Sequence, residues 1–161
     1  MTLLARLIGI FLPACGASGA GGLPRPALLD MTHIDRPASP NTALAGPAGA
    51  DPAPDIVTPV FGVPASRLYG AVIAAAADQP RTYLAAEYPA ERQAHFVARS
   101  TWLNFPDLIT AQIGEDGPDA STLVLYSRSV YGYSDLGVNR QRLTSWLATV
   151  QTRIDHTGER K

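Results

Sequence analysis

Arg128, Ser129, Ser134, Asp135, Asn139 and Arg140 crowd into one short stretch, Tyr126 to Arg142, which reads Y-S-R-S-V-Y-G-Y-S-D-L-G-V-N-R-Q-R. If a helix begins near Asp135, then Asp135 and Asn139 stand one turn apart on the same side of it. Two chemistries suit that arrangement. In the first, Asp135 caps free helix N–H groups while Arg140 reaches a carboxylate such as Glu87 or Asp107, and a buried ion pair locks the helix to its neighbours. In the second, the helix N-terminus offers donors and a positive dipole end, and Arg128 or Arg140 adds a bidentate cation, so that the corner holds a small anion. The candidate binding residues are therefore Arg128, Ser134, Asp135, Asn139, Arg140, Glu87 and Asp107.

Other chemistries find less support. Glu87 and Asp107 form the one plausible carboxylate pair near the motif, and with Arg128 they define the rival reading, a small hydrolase or isomerase. Ser127, Ser129 and Ser134 lie nearby, but no G-x-S-x-G elbow presents a serine nucleophile, and His95 reads as an exposed strand residue rather than a base. The span from Gly132 to Gly137 lacks the Lys-Ser that follows in a phosphate loop. No residue is assigned a catalytic role. The one cysteine, Cys15, excludes internal disulfides, and His33, His95 and His156 have no ligand spacing, so neither a metal nor a cofactor is expected. A formal net charge of −1, with acids and bases interspersed, excludes a phosphate-tracking surface and hence nucleic acid as a partner.

These residues must be positioned by the elements around them. Pro64 to Asp78 carries Leu68, Val72, Ile73, Ala75 and Ala76 at helical spacing and stops at Gln79-Pro80. Val57 to Val63 suits a short edge strand interrupted by Pro59. Four further strands are predicted: Arg81 to Tyr88, His95 to Trp102, Leu108 to Gly114 and Ser121 to Val130. The short turns between them favour an antiparallel meander. A closing helix from Asp135 to Arg153 presents Leu136, Leu143, Trp146, Leu147, Val150 and Ile154 on one face. The expected fold class is α+β, an antiparallel sheet of four to five strands with two helices on one face. Its β-α-β-β-β-β-α order is that of one half of a TATA-binding protein. The opposite sheet face is left for recognition.

Before the domain the composition changes. Met1 to Cys15, M-T-L-L-A-R-L-I-G-I-F-L-P-A-C, sets Arg6 before a short apolar run and then small residues. It resembles a lipoprotein signal with Cys15 as the lipidated residue, while Ser18-Gly19-Ala20 offers a rival cleavage site for simple secretion. A cytoplasmic accessory protein with a buried N-terminal segment is a further alternative. Pro, Ala and Gly dominate the next stretch, giving an extended arm that packs on the domain in places. The organisation expected is residues 1–22 as signal and tether, 23–55 as arm, 56–155 as the α+β domain and 156–161 as a tail.

Gly132-Tyr-Ser-Asp-Leu-Gly-Val-Asn-Arg resembles the signature of the bacterial and plastid family called domain of unknown function 1499. Ser39-Pro-Asn, Tyr83-Leu84-Ala-Ala-Glu87, Phe105-Pro-Asp107 and Ser127-Arg128-Ser129 support it in the same order. The resemblance spans roughly residues 30 to 153. Several relatives carry a Cys where this chain has Thr42, and others a doubled Asp where only Asp107 stands. The resemblance implies no activity, but it implies export or membrane association. The expectation is thus a bacterial envelope protein, periplasmic or lipid-anchored through its N-terminus. Its role would be binding or structural, and its partner another envelope protein or a small anionic ligand.

Overall fold

A computed structural model describes residues 13–158. In chain order these form α1 (Pro13–Gly16), β1 (Thr42–Gly46), β2 (Ile56–Val57), α2 (Ala65–Ala77), β3 (Thr82–Tyr88), β4 (Gln93–Arg99), β5 (Pro106–Glu115), β6 (Ser121–Ser129) and α3 (Val138–Gly158). One sheet runs in the order β2-β1-β6-β5-β4-β3. The apolar run before Pro13 and the last residues of the tail lie outside the described residues.

The α+β class holds, as does the antiparallel meander β3-β4-β5-β6. The sheet has six strands rather than four or five, because the Pro-rich arm contributes to it. Thr42-Ala-Leu-Ala-Gly is short and flanked by prolines, yet it pairs antiparallel with β6, and Ile56–Val57 adds a parallel edge to it. The segment expected as a strand up to Val63 keeps only β2 and a lone bridge between Phe61 and Ser121, since Pro59 has no N–H to give a ladder. The third helix is the four-residue α1.

Helices α2 and α3 pack on the same face of the sheet. Leu68 and Val72 from α2, and Leu143, Trp146 and Val150 from α3, bury completely against Phe96, Ile109, Ile113, Leu123 and Leu125. Phe96 meets Trp146 edge to face at 5.2 Å. Small residues on the strands beneath, Ala43, Ala45, Ala94, Ala98 and Ala111, let both helices approach the sheet closely.

Helix α3 begins at Val138, three residues after its expected start. Leu136 and Gly137 both take positive φ, +54° and +83°, and such a pair cannot continue into an α-helix. Leu136, expected on the buried stripe, is consequently outside the helix and 95% exposed.

The second sheet face is not open. Residues 14–34 of the arm cross it, so every residue of β4 is buried, one side of the strand by helices and the other by the arm. A smaller cluster of Met31, Ile34, Leu44 and Tyr126 seals part of this layer. No described helix is long and apolar enough to cross a membrane.

Candidate functional site

The residues that carry the sequence signature meet in one polar corner. Asn139, fully buried in the first turn of α3, donates from Nδ2 to the Asn41 carbonyl at 2.9 Å and to Ser129 Oγ at 3.0 Å. Its Oδ1 accepts from Arg142 at 2.6 Å and from the Ser127 hydroxyl. Arg142 also pairs with Asp107 at 2.6 Å, and Asn41 donates to the Gly132 carbonyl at 2.7 Å. Asp135 accepts from the N–H groups of Gly137 (2.9 Å) and Asn139 (2.7 Å). The corner thus ties the approach to β1, the start of β5, the end of β6 and the start of α3 together.

Nearly every donor and acceptor here is spent within the chain. The N–H groups an anion would use already face the Asp135 carboxylate, which would also repel it. Arg140 points elsewhere: it is exposed, and Asp107 takes Arg142 instead. Ser134 accepts from the Leu136 N–H, at 3.3 Å. The sequence reading missed Arg142 because its single signal was a position one turn from Asn139.

Glu87, Asp107 and Arg128 do not converge. Glu87 stands opposite Ala94 and Asp107 opposite Ala98, four residues further along β4. At about 3.3 Å per residue that is roughly 13 Å along the strand, before the sideways offset is added. Glu87 is engaged by the Tyr69 hydroxyl at 2.8 Å, and burial first, then this bond, pushes the Tyr69 pKa up. Arg128 sits on the other face of the sheet, opposite Leu108 and away from Asp107.

That other face carries a different kind of site. The arm-facing row of β4 is Gln93, His95, Val97 and Arg99, alternate residues as a strand requires. At one end Gln93 exchanges two bonds of 2.8 Å with the backbone of Leu29. At the other, the Arg99 guanidinium reaches the carbonyls of Ala14 (2.7 Å), Gly19 (2.6 Å) and Gly21 (2.6 Å), while Asn104 donates to those of Cys15 and Ala17. Burial lowers the Arg99 pKa and raises that of the enclosed Cys15 thiol.

Between these two clamps and β1 lies a cavity of about 830 Å³. Its wall is largely apolar, with Leu23, Ile34, Leu108 and Val130 among the contributors, and Arg25 and Arg128 bring cations to it, Asp35 an anion. His95 and Tyr126 line it too. His95, expected to be exposed, is buried; Thr110 Oγ1 holds its Nδ1 at 3.0 Å, Tyr88 packs edge-on at 5.8 Å, and burial lowers its pKa. Its Nε2 and the Tyr126 hydroxyl find no hydrogen-bond partner among the described residues. Burial raises the Tyr126 pKa, against the opposing field of Arg128 and Arg36 and with that of Asp35. Trp146 Nε1 and Arg92 Nε are unpartnered as well, but neither residue lines this cavity. No spacing in the sequence could have joined His95 to Tyr126, because the arm creates the enclosure.

A family model described as protein of unknown function (DUF1499) matches residues 34–150. No curated protein matches the chain. Among solved structures, the chain is similar to the di-domain ARO/CYC BexL from the BE-7585A biosynthetic pathway. Identity there is 15%, over 60% of this chain and 44% of that one, with a TM-score of 0.45. The chain thus spans less than half the length of that protein.

Proposed function

Because the chain belongs to the DUF1499 family, whose description assigns no activity, we propose a function from its own geometry: a non-catalytic binding module of the bacterial envelope. Its ligand is a small amphipathic acid held between arm and sheet. The observation that carries this reading is the pair of buried, unpartnered polar atoms, His95 Nε2 and the Tyr126 hydroxyl, on residues lining one apolar cavity. Burying a polar group without a partner costs about 1–3 kcal/mol, a cost that a bound polar group would offset. The cavity volume falls in the usual range for small-molecule sites. Arg128 and Arg25 favour an acidic head group, and the surrounding side chains favour an apolar body.

The envelope assignment rests on sequence: Arg6, the apolar run and the small residues before Cys15 or after Ser18 suit export, with or without lipidation. Catalysis by Glu87, Asp107 and Arg128 is disfavoured by their separation.

Titration with the fluorescent fatty acid cis-parinarate tests the reading. Saturable binding to the full chain is expected. Leu108→Trp, which fills the cavity, should abolish it, and Arg128→Leu should weaken it about tenfold, the worth of one charge-assisted hydrogen bond. No saturable binding, or equal binding by both variants, overturns the proposal.

A further inference from the structure

Three segments poor in charge lie at the same end of the sheet as the Arg99 clamp. The turn from β4 to β5 holds Trp102, which is 77% exposed. The loop from β6 to α3 holds Tyr133, 75% exposed, together with Leu136, and the exposed Val138 opens α3 just after it. Register places both loops together: Arg99 stands opposite Pro106, the Val130 N–H donates to the Pro106 carbonyl, and the rings of Phe105 and Tyr131 lie 6.3 Å apart. The third segment is the beginning of the described chain, since Arg99 and Asn104 hold the carbonyls of Ala14, Cys15 and Ala17 there.

These three segments are electrically quiet. Residues 14–24 and 100–106 contain no Asp, Glu, Lys or Arg, and residues 130–138 contain only Asp135, whose carboxylate is occupied by backbone N–H groups. Of the cations at this end, Arg81 and Arg99 are spent on Asn104 and on backbone carbonyls. Arg140, one residue past the buried Asn139, remains exposed. Leu136 adds a second indication: a branched apolar residue kept at φ +54° and almost wholly exposed gains nothing from packing in the chain itself.

We infer that this end is a membrane-docking rim, in which Trp102, Tyr133 and Leu136 enter the interfacial layer of a lipid bilayer. The apolar run Leu7 to Leu12 directly precedes Pro13 in the sequence, and Pro13 is next to Ala14, whose carbonyl Arg99 holds at this end. Tryptophan and tyrosine favour the interfacial depth, and leucine the acyl boundary. A cut before Cys15 would leave the Cys15, Ala17, Gly19 and Gly21 carbonyls in their clamps, holding the new N-terminus at the same rim. The inference shares the envelope setting with the proposed function but is independent of the cavity and its ligand.

Trp146 is fully buried, so a change in tryptophan emission on adding vesicles reports Trp102. With the full chain in phosphatidylethanolamine–phosphatidylglycerol vesicles, a blue shift and quenching by brominated lipid are expected. Both should vanish in Trp102→Phe. Leu136→Asn, which suits the left-handed backbone better, should keep the melting temperature while the quenching of Trp102 falls. If the chain floats with vesicles while Trp102 stays open to acrylamide, the rim does not dock and the inference falls. Failure to float overturns it too. So does shielding of Trp102 that grows with protein concentration in the absence of lipid, which would assign the rim to a second copy. None of these readings involves cis-parinarate, so failure here is separable from failure of the binding proposal.

Discussion

At the scale of single residues, the division is between polar groups that are satisfied and those that are not. Asn139 uses both amide hydrogens and its oxygen within the chain, and it therefore has nothing left to offer a ligand. His95 is the opposite case. Its depressed pKa keeps the buried ring neutral, whereas the unfolded chain titrates near the ordinary value of about 6.5. The stability this group contributes is full above that value and is lost as pH falls below it toward the folded pKa, because the unfolded state then binds the extra proton. Thermal melts taken from about pH 8 down to about pH 5 should show a decline in melting temperature for the wild-type chain. His95→Gln, which keeps a partner for Thr110 but does not titrate, should be flatter over the same interval. An identical slope in both proteins would place the titrating group elsewhere.

At the scale of elements, the meander and the two long helices were legible because their signals are local. β-branched and apolar residues separated by turn residues give the strands, and the stripe from Leu143 to Ile154 gives α3. What was hidden depends on contacts distant in sequence. Thr42–Gly46 becomes a strand only because β6 offers it an edge, and the last helix starts late because Leu136 and Gly137 turn left-handed. The signature residues announced a demanding corner, and Ser39-Pro-Asn41, Asp107, Ser127 and Asn139 do share one; which arginine serves it was not readable from a list of neighbours. Because this corner fastens the start of α3 to the ends of β5 and β6, Asn139→Ala should be severe, about 3 kcal/mol or more. It would take from the Ser127 hydroxyl and Arg142 the acceptor they share, leave the Asn41 carbonyl with the Ser129 N–H alone, and disturb the largely buried Arg142–Asp107 pair. Arg140→Ala, on the exposed side of the same helix, should stay within about 0.5 kcal/mol. Chemical denaturation of the two variants checks the contrast.

At the scale of the whole molecule, the arm turns a two-layer fold into a three-layer one, with the side chains of Met31 and Ile34 in one part and chiefly backbone carbonyls in another. Ala14 to Gly22 has little to bury, so its attachment depends on Arg99 and Asn104 collecting its oxygens; Gly22 is needed because a Cβ there would lie 2.6 Å from that of Ala17. Further along, Gln93 holds Leu29 and the Tyr88 hydroxyl holds the Pro26 carbonyl at 2.7 Å. Two separate clamps imply that the layer can open in two separate parts. Arg99→Gln should free residues 14–22 at a cost of about 2–4 kcal/mol, since a buried guanidinium and several charge-assisted bonds are lost. Gln93→Leu should instead loosen residues 26–31 next to the cavity. Amide hydrogen exchange resolves the two: each variant should lose protection in its own segment while β4 stays protected by its ladders to β3 and β5. If both variants deprotect the whole arm at once, the layer is a single cooperative unit. Opening either clamp would then empty the cavity and release the rim together, coupling ligand binding to membrane docking through one strip of chain.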